Sequence, residues 1–432
     1  MRGTFASGPV RLEAGREFTI TGEAVAGDGE QVSVTYPGLA DDVMAGDRIL
    51  VDDGRVVLEV LAARDKGIRT RVLAGGVVSD HKGLNLPGTQ LSVPALSLKD
   101  EQDLRWALGL RADMIALSFV RGPEDAGPVR AIMDQEGARV PLIAKIEKPQ
   151  AVQALPEILE AFDGLMVARG DLGVELPLEQ VPAVQKRAIA MAGEKAKPVI
   201  VATQMLESMI YAPRPTRAEA SDVANAVFEG ADALMLSAET SVGEYPVQSV
   251  ATMDRIIAAA EREYLHAVPS LARVPTTTGG AIARAAAEVA AIVGATALAA
   301  FTISGETARR LARYRSPIPL LAFTPQPATR SELTLSWESR PSSSRRSGTS
   351  ARWSARRRPP CSAPAAATPV TRSSSWPAAC REPRAAPTRC AFTASATPSP
   401  QTSRSQLSTA GQPDLARIRG RASVDLTVFS SM

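Results

Sequence analysis

Lys145 and Glu147 are the first residues in this chain whose types and spacing could do chemistry. They close an apolar run, Pro141–Glu147. Side chains alternate along a strand, so an ammonium and a carboxylate two apart project to the same side. Together they could hold a metal ion and an anionic substrate; alone, they read equally as a structural ion pair. A second apolar run ends in Ala168-Arg-Gly-Asp171-Leu-Gly173. Gly170 lets backbone approach a ligand closely, and backbone amides at a helix start bind anions. Glu147 and Asp171 would supply two hard oxygen ligands, which suits a magnesium ion that keeps water and substrate oxygens in its shell. The plainer reading of Asp171 is a Gly-Asp turn. A third run ends in Ala202-Thr203-Gln204-Met205, where the threonine could be a helix N-cap. Finally, Arg214-Pro-Thr-Arg-Ala-Glu219 opens a helix with Pro215 in its lead-in, and its arginines could meet phosphate, another subunit or only solvent.

The elements that must position these groups follow from periodicity. Residues 3–90 read as β: short apolar runs (Glu17–Thr21, Gln31–Tyr36, Arg48–Val51, Val56–Val60, Thr70–Leu73) are separated by Gly, Asp and Pro turns, with Asp52-Asp53-Gly54 as a hairpin signal. Ser97-Leu-Lys-Asp100 predicts a capping box at a helix start. Near-continuous apolar runs then alternate with helical stretches, at Asp113–Val120, Pro141–Glu147, Gly164–Ala168, Pro198–Thr203 and Ala233–Ser237. Such runs are parallel strands covered on both faces, so the repetition means a doubly wound sheet or a (β/α)8 barrel, with five strands counted. A further α/β unit follows: a helix near Ala281–Val293, a strand near Ala297–Thr302, a helix at Glu306–Arg313 and a strand at Pro319–Phe323.

The net charge of +3 conceals a split. Residues 338–432 carry 15 Arg, no Lys and four acids (Glu338, Glu382, Asp414, Asp425), a balance of +11, which leaves −8 for the rest. Cys361, Cys380 and Cys390, the only cysteines, lie in this tail, so no disulfide framework or thiolate chemistry is open to the first 337 residues. His81 and His266 are too few for a His-rich metal site. No apolar run reaches membrane-span length and no signal peptide is visible, so no membrane association and a cytoplasmic protein are expected. The tail's Ser, Arg, Pro and Ala composition predicts disorder. A nucleic-acid-binding arm would mix Lys with Arg and recruit aromatics. Trp353, Trp376, Phe392 and Phe429 are the tail's aromatics, and no nucleic-acid partner is expected.

Taken together, Lys145-Ile-Glu147, Ala168-Arg-Gly-Asp171-Leu-Gly, Ala202-Thr-Gln-Met-Leu206 and Arg214-Pro-Thr-Arg-Ala-Glu219 resemble the pyruvate kinase family in order and spacing, supported by Leu84-Asn-Leu-Pro-Gly88 and Asp222-Val-Ala-Asn-Ala226. The resemblance runs from about Gly3 to Trp337. It implies an α/β fold: a partial TIM (β/α)8 barrel (residues 91–268) with an inserted β-barrel lid (1–90) and the start of a C-terminal α/β regulatory domain (269–337). It implies phosphoryl transfer from phosphoenolpyruvate to ADP, giving pyruvate and ATP, the final step of glycolysis. Lys145 would neutralise charge on the phosphoryl group and the enolate. Glu147 and Asp171 would hold Mg2+ or Mn2+. Ala168, Arg169, Gly170 and Asp171 would bind substrate, and Thr203 would stand beside the enolate carbon. Thr302, Ser304, Gly305 and Thr307 resemble the family's effector loop for a phosphorylated ligand, weakened by Glu306. A homotetramer is the family's state. Another phosphoenolpyruvate- or pyruvate-handling barrel, such as a lyase, would share the carboxylate pair but lack the β lid.

The sequence departs from the family at both ends. Nothing matches the family's Arg-x-Asn-x-Ser segment or its Asp-Thr pair, so the expected K+ site and part of the ADP site are missing, and an inactive remnant is the alternative reading. Beyond Trp337 the composition is that of a GC-rich gene in a wrong frame. Back-translated and regrouped by one base, Glu338–Ser343 permits Gly-Val-Glu-Thr-Phe-Leu, a sensible strand. The same offset over Thr371–Ala396 permits a strand followed by a Gly-rich loop. The expectation is a lost nucleotide near codon 338, which sequencing that locus tests.

Overall fold

Residues 56, 58 and 60 of the N-terminal β region are Val, Leu and Val, all buried, while their neighbours at 57 and 59 are half-buried. That alternation, and its counterpart at Ile68, Thr70 and Val72, fixes which face of each strand meets the core. The computed structural model describes residues 3–36, 38–52, 54–64, 67–89, 96–264, 275, 277–337, 339–343, 390–392 and 426–429. Strands β1 (Val10–Leu12), β2 (Glu17–Thr21), β3 (Gln31–Ser33), β4 (Arg48–Val51), β5 (Val56–Arg64), β6 (Gly67–Ala74), β7 (Gly76–Val78) and β8 (Leu84–Asn85) build this region. Six of them form one sheet in the order β3-β2-β6-β5-β4-β8, while β1 pairs with β7. The predicted hairpin is present: β4 and β5 pair antiparallel with Val51 opposite Val56. Asp52 and Gly54 adopt left-handed φ of 53° and 84° in its turn, a conformation Asp and Gly tolerate better than most residues.

The predicted capping box also forms. Ser97 accepts from the Asp100 amide, and the Asp100 carboxylate reaches back to the Ser97 amide at 2.9 Å. Strands β9 (Met114–Leu117), β10 (Leu142–Ile146), β11 (Gly164–Ala168), β12 (Val199–Ala202) and β13 (Ala233–Leu236) follow, separated by helices. They pair in sequence order, all parallel. Alternate residues divide between two cores. Ile115, Leu117, Leu142, Ala144, Leu165, Val167, Val199, Val201 and Leu234 pack under the helices. Met114, Ala116, Ile143, Met166, Ile200, Ala202, Ala233 and Met235 form the other face, and Leu335 covers them.

This sheet has seven strands rather than the five counted from sequence. Cys390–Phe392 (β17) runs beside β13 and Leu426–Phe429 (β18) beside β9, one on each edge. The composition that predicted disorder says nothing about these two segments because edge pairing uses backbone donors and acceptors that every non-proline residue carries. The rest of the tail beyond Ser343 lies outside the described residues, as does His266.

The C-terminal unit pairs β14 (Leu298–Phe301), β15 (Leu320–Thr324) and β16 (Ser339–Ser343) in parallel. Its helices are Thr278–Ile292, Glu306–Ala312 and Pro327–Glu332. β16 occupies the segment where the regrouped codons permit a strand. Asp232 ties this unit to the larger sheet. It accepts from the Val199 amide at 3.0 Å and the Trp337 amide at 3.2 Å, and pairs with Arg315 at 3.0 Å. The Arg315 guanidinium also lies 5.2 Å over the Trp337 ring. Both members of the pair are nearly buried, at 7% and 10% side-chain exposure. Removing one partner strands the other's charge, so Asp232→Ala is expected to cost about 3–5 kcal/mol, read as a fall in the urea midpoint with an unchanged slope. Among the described residues no helix is long and apolar enough to cross a membrane.

Candidate active site

Glu147 follows the last residue of β10 and is fully buried. A buried carboxylate must be compensated, and here two neighbours do so. The Phe119 amide donates to Oε2 at 2.6 Å, and Lys145 Nζ lies 2.7 Å from Oε1. Oε1 receives no aligned hydrogen bond, so its contact with Lys145 is an ion pair only. Lys145 donates to Ser118 Oγ at 2.8 Å. The alternation expected for Lys145 and Glu147 therefore holds, and both lie on the face whose strand core contains Ile143. Ser118 and the Phe119 amide were missed by the sequence reading. Alternation could have found Ser118, two residues beyond inward-facing Ala116; nothing local announces the left-handed φ of 55° at Phe119 that aims its amide at Glu147.

The neighbouring strand ends are stitched together. The Gly170 amide, in the turn of helix after β11, donates to Thr203 Oγ1 at 2.7 Å, and that hydroxyl donates to the Ala202 carbonyl at 2.6 Å. Thr203 does not cap a helix. Instead Thr203 and Gln204 both take left-handed φ, 67° and 53°. For side chains with a Cβ each such residue costs about 1–3 kcal/mol, and strain of this kind persists only where the surroundings over-determine it. A Cβ on Gly170 would stand 3.3 Å from Thr203 Oγ1. Gly170→Ala should therefore displace a hydroxyl already held twice, lowering activity about tenfold while shifting stability by about 1 kcal/mol or less; steady-state kinetics beside a thermal melt checks this.

Arg169, expected at the substrate, turns its guanidinium to the loop after β12. Its guanidinium donates to the Thr203 carbonyl from Nε at 3.2 Å and from Nη2 at 2.8 Å, and to the Gln204 carbonyl at 2.8 Å. Its Nη1 pairs with Asp222 at 2.6 Å. Asp171 lies in the first turn of the helix Arg169–Glu175. Farther out, Lys148 pairs with Glu175 at 2.6 Å and stands over the Phe119 ring at 5.5 Å. Buried Glu239 accepts from the Leu206 and Ser237 amides at 3.0 and 2.8 Å, joining the loops after β12 and β13.

The Arg214–Glu219 segment also has a structural use. Thr216 and Glu219 form a capping box for the helix Arg217–Glu229. Burial pushes the Glu219 carboxyl up, but hydrogen bonds from Ser208 and Thr216 outweigh it and hold the group below its usual range. A depressed carboxyl stabilises the fold above the unfolded-state value and loses that contribution as pH falls through the folded one. The stability gap between the parent and Glu219→Gln should thus be widest at neutral pH and shrink under acid, as urea titrations at pH 7 and pH 3.5 would show.

As a metal seat, Glu147 offers a buried oxygen without a hydrogen bond, paired with Lys145, and Asp171 stands in the first helical turn after the next strand, β11. Among the described residues no group of three or more His, Cys, Asp or Glu side chains gathers to make an all-protein cage. The donor set fits a hard divalent ion that retains water and substrate oxygens. In the C-terminal unit, Thr302 Oγ1 accepts from the Gly305 amide at 2.9 Å, while Glu306 pairs with Arg310. Ser304 lines a cavity of about 740 Å³ between that unit and the sheet, where five cations (Lys195, Lys197, Arg309, Arg310, Arg313) face four acids (Asp163, Glu194, Glu306, Glu332).

Comparison with known proteins agrees with this geometry. The family profile described as pyruvate kinase, barrel domain, matches residues 1–250, and that described as pyruvate kinase, alpha/beta domain, matches residues 280–346. A pyruvate kinase of Mycobacterium tuberculosis is 58% identical over 335 residues, covering 78% of this chain and 71% of the relative. One from Corynebacterium efficiens is 57% identical over 335 residues, covering 78% and 70%. The crystal structure of a pyruvate kinase from Cryptosporidium parvum superposes with a TM-score of 0.73 at 36% identity, covering 79% of this chain and 72% of that one.

Proposed function

The chain belongs to the pyruvate kinase family of metal-dependent phosphotransferases, and from that premise we propose that Lys145, Glu147, Asp171 and Thr203 carry the transfer between phosphoenolpyruvate and ADP. The observation that carries the assignment is the buried ion pair of Lys145 and Glu147, whose Oε1 receives no hydrogen bond. Glu147 and Asp171 would hold Mg2+ or Mn2+, and that ion when bound supplies positive charge to the phosphoryl and enolate oxygens. Lys145 neutralises the same charge from the protein side. Phosphoryl transfer asks mainly for positioning and charge neutralisation, so this pairing of a fixed ammonium with two acidic ligands is suited to it. Backbone around Ala168, Gly170 and Asp171 would receive the substrate carboxylate, which requires the Gly170 amide to leave Thr203 Oγ1.

Transfer breaks the bond between phosphorus and the enol oxygen and forms one to a terminal ADP oxygen, leaving the enolate of pyruvate. The enolate carbon then takes a proton: its C=C pair becomes the new C–H bond and the oxygen's charge collapses into C=O. Thr203 Oγ1 is placed to orient the proton donor for that step, directly or through water. Residues 1–90 act as a lid that closes over the nucleotide and excludes water. Thr302, Ser304, Gly305 and Thr307 would form the loop that takes a phosphorylated effector, a role that Glu306, paired with Arg310, opposes. The exposed Ile282, Val289 and Ile292 on one helix favour association between copies. The reaction is assigned to the cytoplasm.

Thermal unfolding with and without ligands tests the site independently of turnover. Mg2+ and phosphoenolpyruvate together should raise the midpoint, since saturation at a hundred times Kd is worth about 2.7 kcal/mol. A chelator should abolish the rise. A midpoint indifferent to both ligands contradicts the assignment.

A further inference from the structure

We propose that Arg169 is a positioning residue for the proton-transfer half of the reaction, acting by holding the left-handed turn at Thr203 and Gln204; this rests on the role just assigned to Thr203. Arg169 is 8% exposed and spends its donors on the turn rather than on any open face of the site. Nε and Nη2 converge on the Thr203 carbonyl, Nη2 also reaches the Gln204 carbonyl, and Nη1 is anchored by Asp222 at 2.6 Å. Two consecutive residues with a Cβ at φ of 67° and 53° turn their carbonyls to one guanidinium. Strand alternation would send Thr203 to the side of Val201, which packs under the helices. The turn breaks that alternation, and the hydroxyl then meets the Gly170 amide at 2.7 Å. Arg169 and Gly170 are adjacent, so one short segment clamps the turn from two sides: its side chain takes the carbonyls, and its next amide takes the hydroxyl.

A planar fork of donors is needed for this arrangement. Lysine offers a compact charge on a flexible stem and cannot bridge two carbonyls and a carboxylate with fixed directions. Arg169→Lys keeps the charge opposite Asp222 and loses the fork. Gln204 is exposed, and glycine takes left-handed φ without steric cost, so Gln204→Gly lowers the strain that the clamp opposes.

The test follows exchange of the pyruvate methyl protons for deuterium by proton NMR, in D2O with Mg2+ and ATP. In this step a C–H bond breaks and the proton passes to the solvent water that Thr203 orients; the electron pair forms C=C, the carbonyl oxygen takes the negative charge beside Lys145, and on return a deuteron from D2O bonds to the carbon as C=O re-forms. Thr203→Val should slow exchange, and Arg169→Lys should slow it about ten- to a hundredfold, with phosphoenolpyruvate affinity by calorimetry changed by less than about threefold. Adding Gln204→Gly to Arg169→Lys should restore most of the lost exchange; a residue that merely supported the fold through Asp222 would gain nothing from that glycine. Parent protein without exchange, or Thr203→Val exchanging normally, overturns the reading of the site and this proposal with it. If both behave as expected while Arg169→Lys exchanges at the parent rate, or the glycine gives no recovery, the positioning role alone is overturned.

Discussion

Lys145→Met should lower kcat by about a thousandfold or more, with the protein still folded. The expected size comes from what one fixed cation is worth in phosphoryl transfer, where an inserted arginine supplies 10³–10⁵; a thousandfold is about 4 kcal/mol of transition-state stabilisation. The charge is needed where it grows, on the transferring group and the enolate oxygen, so the loss should fall on kcat rather than on KM. Methionine preserves the stem that packs along the strand and removes the hydrogen bond to Ser118 and the ion pair to Glu147. Glu147 is then left buried with the Phe119 amide still donating to it but no cation beside it, which should cost about 3 kcal/mol of stability. A coupled assay and a urea melt on the same preparation read both effects. A kcat within tenfold of the parent would remove Lys145 from the chemistry.

Glu147→Gln should cost activity on a comparable scale through a different route. Glutamine keeps the size of the side chain and can still accept from the Phe119 amide, but it takes away the charge facing Lys145 and one of the two acidic ligands proposed for the metal. Oxygen ligation of a hard divalent ion depends strongly on ligand charge. The Mg2+ concentration for half-maximal activity should therefore rise by at least about tenfold, and the Mg2+-dependent rise in melting temperature should vanish. The two substitutions should not add. Lys145→Met and Glu147→Gln each strand a partner, whereas the double variant strands neither, so its stability should exceed the sum of the single losses by about 1–3 kcal/mol. Its activity should stay as low as the worse single variant. Additive stability losses would mean that the 2.7 Å contact contributes nothing to the fold.

Much of this site was legible because its geometry is local. Alternation places Lys145 and Glu147 on one face whatever the rest of the chain does, and a Gly-flanked Asp171 after an apolar run marks a strand end entering a helix. Ser97 and Asp100, or Thr216 and Glu219, announce helix starts through contacts three residues apart. The clamp made by Arg169 was hidden because its partners are 34 to 53 residues away and none is visible in its own motif. Separations of 27 and 28 residues likewise hid Ser118 from Lys145 and the Phe119 amide from Glu147. The two edge strands from the basic tail escaped for another reason: composition measures how much a segment can bury, while a ladder of backbone hydrogen bonds depends on which edge lies within reach.

By itself the sequence determined the order of strands and helices, the alternation that turns an ammonium and a carboxylate to one side, and the family to which those motifs belong. Tertiary structure alone decided that Glu147 is fully buried against Lys145, that Arg169 clamps a left-handed turn, and that Asp232 locks the C-terminal unit to the sheet. The physical reason is separation along the chain. Periodicity and caps arise from dihedral preferences within a few residues, but burial, charge compensation and backbone strain are set by neighbours that only folding brings together.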